Sequence, residues 1–199
     1  MYIVPRIHYP SRMRFLLQTI LFPKHTGAVA PSSRKLADVM AANARLEDAK
    51  VVVELGPGTG TFTGRIMERL APRATFFCIE INPSFAAATR KRFPTVPVYE
   101  DSAANLATLL KRHGHETCDR VISGLPWTAF PAKEQDALLS AIYDAMSPGA
   151  LFLTFAYVPF NALPLGRRFK ETLRKRFRTV RTTKVVANMP PAFFYVCEK

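Results

Sequence analysis

One stretch governs what this chain can become: Lys50-Val51-Val52-Val53-Glu54-Leu55-Gly56-Pro57-Gly58-Thr59-Gly60. Three consecutive β-branched residues predict a strand buried on both faces, as in a parallel sheet. Glycines at every second position then end the strand. Glycine accepts positive φ and lets a ligand come close to the backbone. After Gly60, Phe62, Ile66, Met67 and Leu70 fall at helical spacing. The unit is therefore strand, glycine loop and helix, with the helix N-terminus aimed at whatever the loop holds.

The spacing narrows the ligand. Dinucleotide sites use G-x-G-x-x-G, and phosphate loops end in Gly-Lys-Ser/Thr. Here the pattern is G-x-G-x-G, Glu54 stands two residues before the first glycine, and no lysine follows the last. A carboxylate beside the loop repels a pyrophosphate and suits an ammonium group. The run Glu54-Leu55-Gly56-Pro57-Gly58-Thr59-Gly60 resembles the first motif of class I S-adenosylmethionine-dependent methyltransferases. The resemblance implies S-adenosylmethionine as cofactor and S-adenosylhomocysteine as product. It also implies donor contacts at Glu54, Gly56, Pro57, Gly58, Thr59 and Gly60.

Four more strands alternate with helices downstream. Strands are expected at 75–81, 96–99, 120–123 and 151–157, and helices at 84–92, 104–112 and 132–146. Alternation of this kind means a parallel sheet with right-handed crossovers and helices on both faces. Two final strands, 179–187 and 193–196, are expected as a hairpin around Asn188-Met189-Pro190-Pro191. A closing antiparallel pair completes the Rossmann-like seven-stranded sheet that the resemblance implies. Ligands in such sheets bind at the carboxyl ends of the strands. Glu54, Glu80, Asp101 and Ser123 all fall there. Glu80 lies 20 residues past Gly60, where an acid accepts hydrogen bonds from ribose hydroxyls. Asp101 stands where the resemblance places an acid facing the adenine amino group. Ile81 and Ser102, adjacent to these acids, complete the expected donor set.

Charge constrains the partner. There are 28 Lys and Arg against 15 Asp and Glu, a net charge of +13. Nucleic acid or an acidic membrane surface fits that excess, as does a generally basic solvated exterior. Residues 165–184 hold nine basic residues and one acid, and Phe169, Leu173 and Phe177 make one apolar helical stripe. No acid precedes Asp38. The basic arm contains a helical pattern at 12–22 with Arg12, Arg14, Phe15 and Leu16, stopped by Pro23. A basic helix with an apolar face is the pattern of an interfacial membrane helix; packing on the domain's own core is the other reading. A second helix carries Leu36, Val39 and Met40 and ends near 43–47. Two units are expected: residues 1–47 for membrane binding and substrate gating, and 48–199 as the methyltransferase domain. Three distant cysteines, Cys78, Cys118 and Cys197, suit a reduced core and no metal site. No signal peptide is expected, and Pro148, Gly149, Pro159, Asn161 and Pro164 argue against a membrane span in the uncharged run 145–166.

The acceptor is read from three further stretches. Enzymes that methylate adenine amino groups carry Asn/Asp-Pro-Pro-Phe/Tyr after the fourth strand. This chain has Ser123-Gly124-Leu125-Pro126-Trp127, which keeps the aromatic residue but neither the Asn nor the first Pro. The segment Pro23-Lys24-His25-Thr26-Gly27-Ala28-Val29-Ala30-Pro31-Ser32-Ser33-Arg34, the run Ser123–Pro126 and Asn188-Met189-Pro190-Pro191-Ala192 resemble bacterial phospholipid N-methyltransferases, a group that includes ornithine-lipid N-methyltransferases. The resemblance implies stepwise methylation of phosphatidylethanolamine toward phosphatidylcholine, at the inner face of the cell membrane, by a cytoplasmic, peripherally bound enzyme. An ornithine lipid or an rRNA adenine is the alternative acceptor. Expected roles follow. His25 accepts the amine proton or serves as a loop hydrogen bonder. Trp127 holds methylated ammonium by cation–π attraction or roofs the donor. Thr26, Ser32, Ser33, Arg34 and Tyr157 bind the lipid, with Arg34 on its phosphate. Arg12 and Arg14, joined by Arg167, Arg168 and Lys170, attract anionic headgroups, and the apolar segment 157–165 dips among them.

Overall fold

The computed structural model describes residues 31–188 and 190–199. In chain order it contains α1 (Pro31–Ala44), β1 (Val51–Leu55), α2 (Thr61–Arg69), β2 (Thr75–Glu80), α3 (Pro83–Arg92), β3 (Val98–Glu100), α4 (Leu106–Arg112), β4 (Cys118–Ser123), α5 (Ala132–Asp144), β5 (Met146–Tyr157), α6 (Val158–Asn161), α7 (Pro164–Arg176), β6 (Thr179–Thr182) and β7 (Ala192–Glu198). The seven strands form one sheet in the order β3-β2-β1-β4-β5-β7-β6. Strands β1 to β5 pair in parallel, and β7 lies antiparallel between β5 and β6.

Both faces of the sheet are covered, as the apolar run Val51–Val53 of β1 requires. Every residue of β1 is buried. Successive side chains point to opposite faces of a strand. Val51, Val53 and Leu55 therefore join Phe77, Ile79, Val121 and Phe152 in a core beneath α4, α5 and α7. Val52 joins Phe76, Cys78, Ile122 and Leu153 in a core beneath α1, α2 and α3. The Phe169–Leu173–Phe177 stripe is buried in the first of these cores, which leaves the basic residues of α7 outside. The three cysteines are free and buried. Among the described residues, no helix is long and apolar enough to cross a membrane.

Several boundaries differ from the sequence pattern, each for a local reason. Met146 already pairs with Cys118, so β5 begins five residues before Leu151 and α5 stops at Asp144. Strand β3 is Val98–Glu100, displaced from 96–99. Strand β6 ends at Thr182, because Thr183 turns its hydroxyl onto the Phe194 amide at 3.0 Å. Lys184 and Val185 leave the ladder, and one bridge from Val186 to Ala192 is all that remains of the expected second half. Residues 31–47, expected to go with the N-terminal segment, share the sheet's core: Leu36, Ala37, Met40, Ala41, Ala44 and Leu46 pack with Val52 and Ile66. The buried Arg120 guanidinium secures them by donating to Ala44 O at 2.6 Å and Arg45 O at 3.3 Å. Those carbonyls end α1 and would otherwise lack partners.

Candidate active site

Strand order reverses between β1 and β4, and a sheet of this kind takes its ligand outside the carboxyl ends at that point. The two strands hand their chains to adjoining loops there. The Gly56 amide donates to Ile79 O at 2.8 Å, and the Gly124 amide donates to Leu55 O at 2.7 Å. The loops meet so closely that a Cβ on Gly124 would stand 2.4 Å from Gly56 O. Gly60, with φ +79°, precedes the first turn of α2, and a Cβ there would stand 2.4 Å from the Phe93 ring. The glycine loop is thus shaped by backbone that no larger residue could occupy.

A ring of side chains fixes that loop. Thr89, fully buried on α3, donates its hydroxyl to Gly58 O at 2.8 Å. Arg92 donates to Thr59 O at 2.9 Å. Glu80, at the end of β2, accepts from the Gly58 amide at 3.2 Å and from the Asn82 amide at 2.9 Å. Burial pushes the Glu80 carboxyl up, against the pull of those amides. Ile81 stands exposed beside it, on the rim. Asp101 closes the far side. Its Oδ1 accepts from the Ser102 amide and from Asn105 Nδ2, both at 2.7 Å. Ser102, expected as a donor contact, uses its hydroxyl to cap the short helical turn Ala103–Asn105.

Two expected contacts lie deeper than the sequence suggests. Glu54 is 0% exposed. Its Oε2 accepts from the Thr63 hydroxyl at 2.6 Å and from the Cys78 thiol at 3.5 Å, while Oε1 is buried and has no partner among the described residues. Burial raises its carboxyl to about 7. Trp127, expected to offer its ring to an ammonium or to roof the donor, is 3% exposed. It stacks on Phe169 with centroids 5.4 Å apart and meets Phe152 edge-on. A buried indole N–H needs an acceptor. Ser123 provides it at 3.0 Å, so the Ser123 hydroxyl, itself fully buried, is spent on positioning the acceptor loop.

The residues expected to meet an acceptor lie at the end of β5, beside β7, and on α1. Tyr157 is half-buried at the top of β5, and burial raises its phenol above the ordinary value. Val158 donates its amide to Pro191 O at 2.9 Å, so the Pro190-Pro191 stretch braces the end of β5. Beyond it, Val158, Phe160, Leu163 and Leu165 are exposed, between 39% and 58%. Arg167 and Arg168 follow immediately and are exposed too. Ser32 and Ser33 lie in the first turn of α1, and Arg34 is exposed on that helix. Arg12, Arg14, Phe15, Leu16, His25 and Thr26 lie outside the described residues. Among the described residues, no cluster of His, Cys, Asp and Glu suits a metal ion.

The site thus presents a carboxylate at the rim, a second carboxylate enclosed with a free oxygen, and a loop open to close backbone approach. That donor set fits a ligand with ribose-like hydroxyls and positive charge. Fold and site together define a class I S-adenosylmethionine-dependent methyltransferase. Residues 52–149 match the methyltransferase-domain family. An ornithine lipid N-methyltransferase of Singulisphaera acidiphila is 34% identical over 182 residues, covering 88% of this chain and 91% of that protein. The chain belongs to this methyltransferase family. Two solved structures share its fold. The O-methyltransferase TomG of Streptomyces achromogenes, in complex with S-adenosylmethionine, has a TM-score of 0.65 at 20% identity, over 96% of this chain and 91% of that one. An O-methyltransferase of Bacillus cereus in complex with S-adenosylhomocysteine has a TM-score of 0.65 at 16% identity, over 97% and 93%. S-adenosylmethionine is the cofactor.

Proposed function

We propose that this enzyme methylates the amino group of a membrane lipid, phosphatidylethanolamine or ornithine lipid, while docked on an anionic bilayer. One observation carries the reading. The edge of the sheet that holds the donor site also holds an exposed apolar segment, Val158 to Leu165, continued by exposed arginines. Apolar side chains beside cations suit the boundary between headgroups and acyl chains. The similarity to the ornithine lipid N-methyltransferase supports an amine-bearing lipid and favours ornithine lipid. Phosphatidylethanolamine rests on the sequence resemblance described first.

The donor supplies an electrophilic methyl group on a sulfonium. The chain's part is to position and to exclude water. Glu80 and Asp101 orient the nucleoside end. The backbone of the Gly56 and Gly124 loops would hold the donor, and Trp127 locks the second loop through Ser123. The acceptor amine must shed its proton before attack. His25 is the proposed acceptor of that proton. Arg34, exposed on α1, is proposed to bind the lipid's phosphate or carboxylate. Replacing Arg34 with Ala is expected to raise the lipid concentration for half-maximal rate about tenfold, the equivalent of one charge-assisted hydrogen bond, with the donor requirement unchanged. Equal loss of both would remove Arg34 from the acceptor site.

The deciding experiment transfers labelled methyl to four acceptors: anionic vesicles with phosphatidylethanolamine, the same with ornithine lipid, vesicles with neither, and structured RNA. Label in one lipid extract identifies the acceptor. Label in RNA alone overturns the proposal.

A further inference from the structure

Glu54 is the group that the reaction scheme leaves unexplained. It stands in the middle of the sheet, wholly enclosed. From β2 it faces Cys78 and feels a second carboxylate, Glu80; from α2 it receives the Thr63 hydroxyl; its partner on β4 is the apolar Ile122. Among the described residues, no cation is among the groups that act on it. Among them, too, one oxygen has no partner. A bare carboxylate in such a place is costly, and a protonated one is not. The position is nevertheless two residues before the loop that receives a cationic donor. We propose that Glu54 holds a proton in the empty enzyme and releases it when the donor binds, with Thr63 as the positioning residue that keeps its carboxyl in place.

Burial lifts the Glu54 carboxyl from its ordinary 4.5 to about 7, while the hydrogen bonds from Thr63 and Cys78 draw it down. A positive charge brought to the loop draws it down further, and the proton leaves to solvent. Donor binding is thereby coupled to proton release near neutral pH. This rests on the donor site and stands whatever the acceptor proves to be.

Calorimetric titration of the full chain with S-adenosylmethionine, in buffers of differing ionisation enthalpy, counts the protons exchanged. Comparison with Glu54→Gln cancels any proton the donor itself exchanges. The expected difference is a release of about half a proton at pH 7, rising as the pH falls toward 6. Thr63→Ser keeps the pH of maximal release, whereas Thr63→Val moves it upward, because the bond that lowers the Glu54 carboxyl is gone. A merely structural threonine would change affinity without moving that pH. A second measurement needs no donor. In the ligand-free chain the unfolded state loses this proton first, so Glu54 weakens folding progressively as pH rises from about 4.5 to 7. Glu54→Gln is expected to flatten that part of the melting profile. Identical proton counts in the two proteins, or an unchanged melting slope, overturn the proposal.

Discussion

The glycine loop and the Val158–Leu165 segment occupy the same edge of the sheet and follow opposite rules. The loop turns polar groups inward, and its carbonyls are pinned from outside by Thr89 and Arg92. The segment turns Val158, Phe160, Leu163 and Leu165 outward and is fastened to the domain at a few points. Asn161 accepts from the Tyr195 hydroxyl, Arg167 donates to Ala162 O at 2.9 Å, and Gly166 packs flat against the Phe160 carbonyl. The contrast shows how one edge can serve two media. A water-borne donor is met by a preformed polar cradle. A lipid acceptor, under the proposed function, is met by apolar surface held ready at a cost in exposed area.

Three variants press on that contrast. Gly124→Ala puts a methyl group 2.4 Å from Gly56 O, where only backbone can yield. The rate of methyl transfer is expected to fall by about 100-fold, as displacements near 1 Å in such sites do; an unchanged rate would show that the two loops move independently. Replacing Leu163 and Leu165 with Ser leaves the fold intact, since both are more than half exposed. Sedimentation with anionic vesicles should show binding weakened about 30-fold, from roughly 1 kcal/mol of apolar transfer at each position, while donor affinity stays as it was. Equal sedimentation of variant and parent would make this surface irrelevant to docking. Thr89→Val removes one bond to the loop and should weaken the donor about fivefold, or about 1 kcal/mol, with vesicle binding unaffected. If Thr89→Val changes vesicle binding as well, the two regions are coupled and the separation drawn above is wrong.

Much of the fold was legible because its signals are periodic. The β-branched run at Val51–Val53 and the alternation of strands with helices gave the parallel sheet, and the acids at strand ends marked its working edge. What stayed hidden has no periodic signature. Thr63 and Thr89 look like ordinary helical threonines; their importance comes from standing opposite Glu54 and Gly58, 9 and 31 residues away. Trp127 invited a ligand-facing role because aromatic residues after a fourth strand often have one. Its stack on Phe169, 42 positions on, is a tertiary fact. The Asn82 cap also stayed hidden: the pattern starts the helix at 84, whereas the Asn82 side chain accepts from the Ser84 and Phe85 amides ahead of Pro83.

Trp127 has one more use. It is the chain's single tryptophan, and it is enclosed between the acceptor loop and the basic helix α7. Its ultraviolet emission therefore comes from one known place and begins at the short wavelengths of an apolar surrounding. Any event that lifts α7 or loosens the acceptor loop will let water reach the indole and shift that emission to the red. The enzyme carries its own optical reporter at the seam between its two working surfaces, with no label to attach.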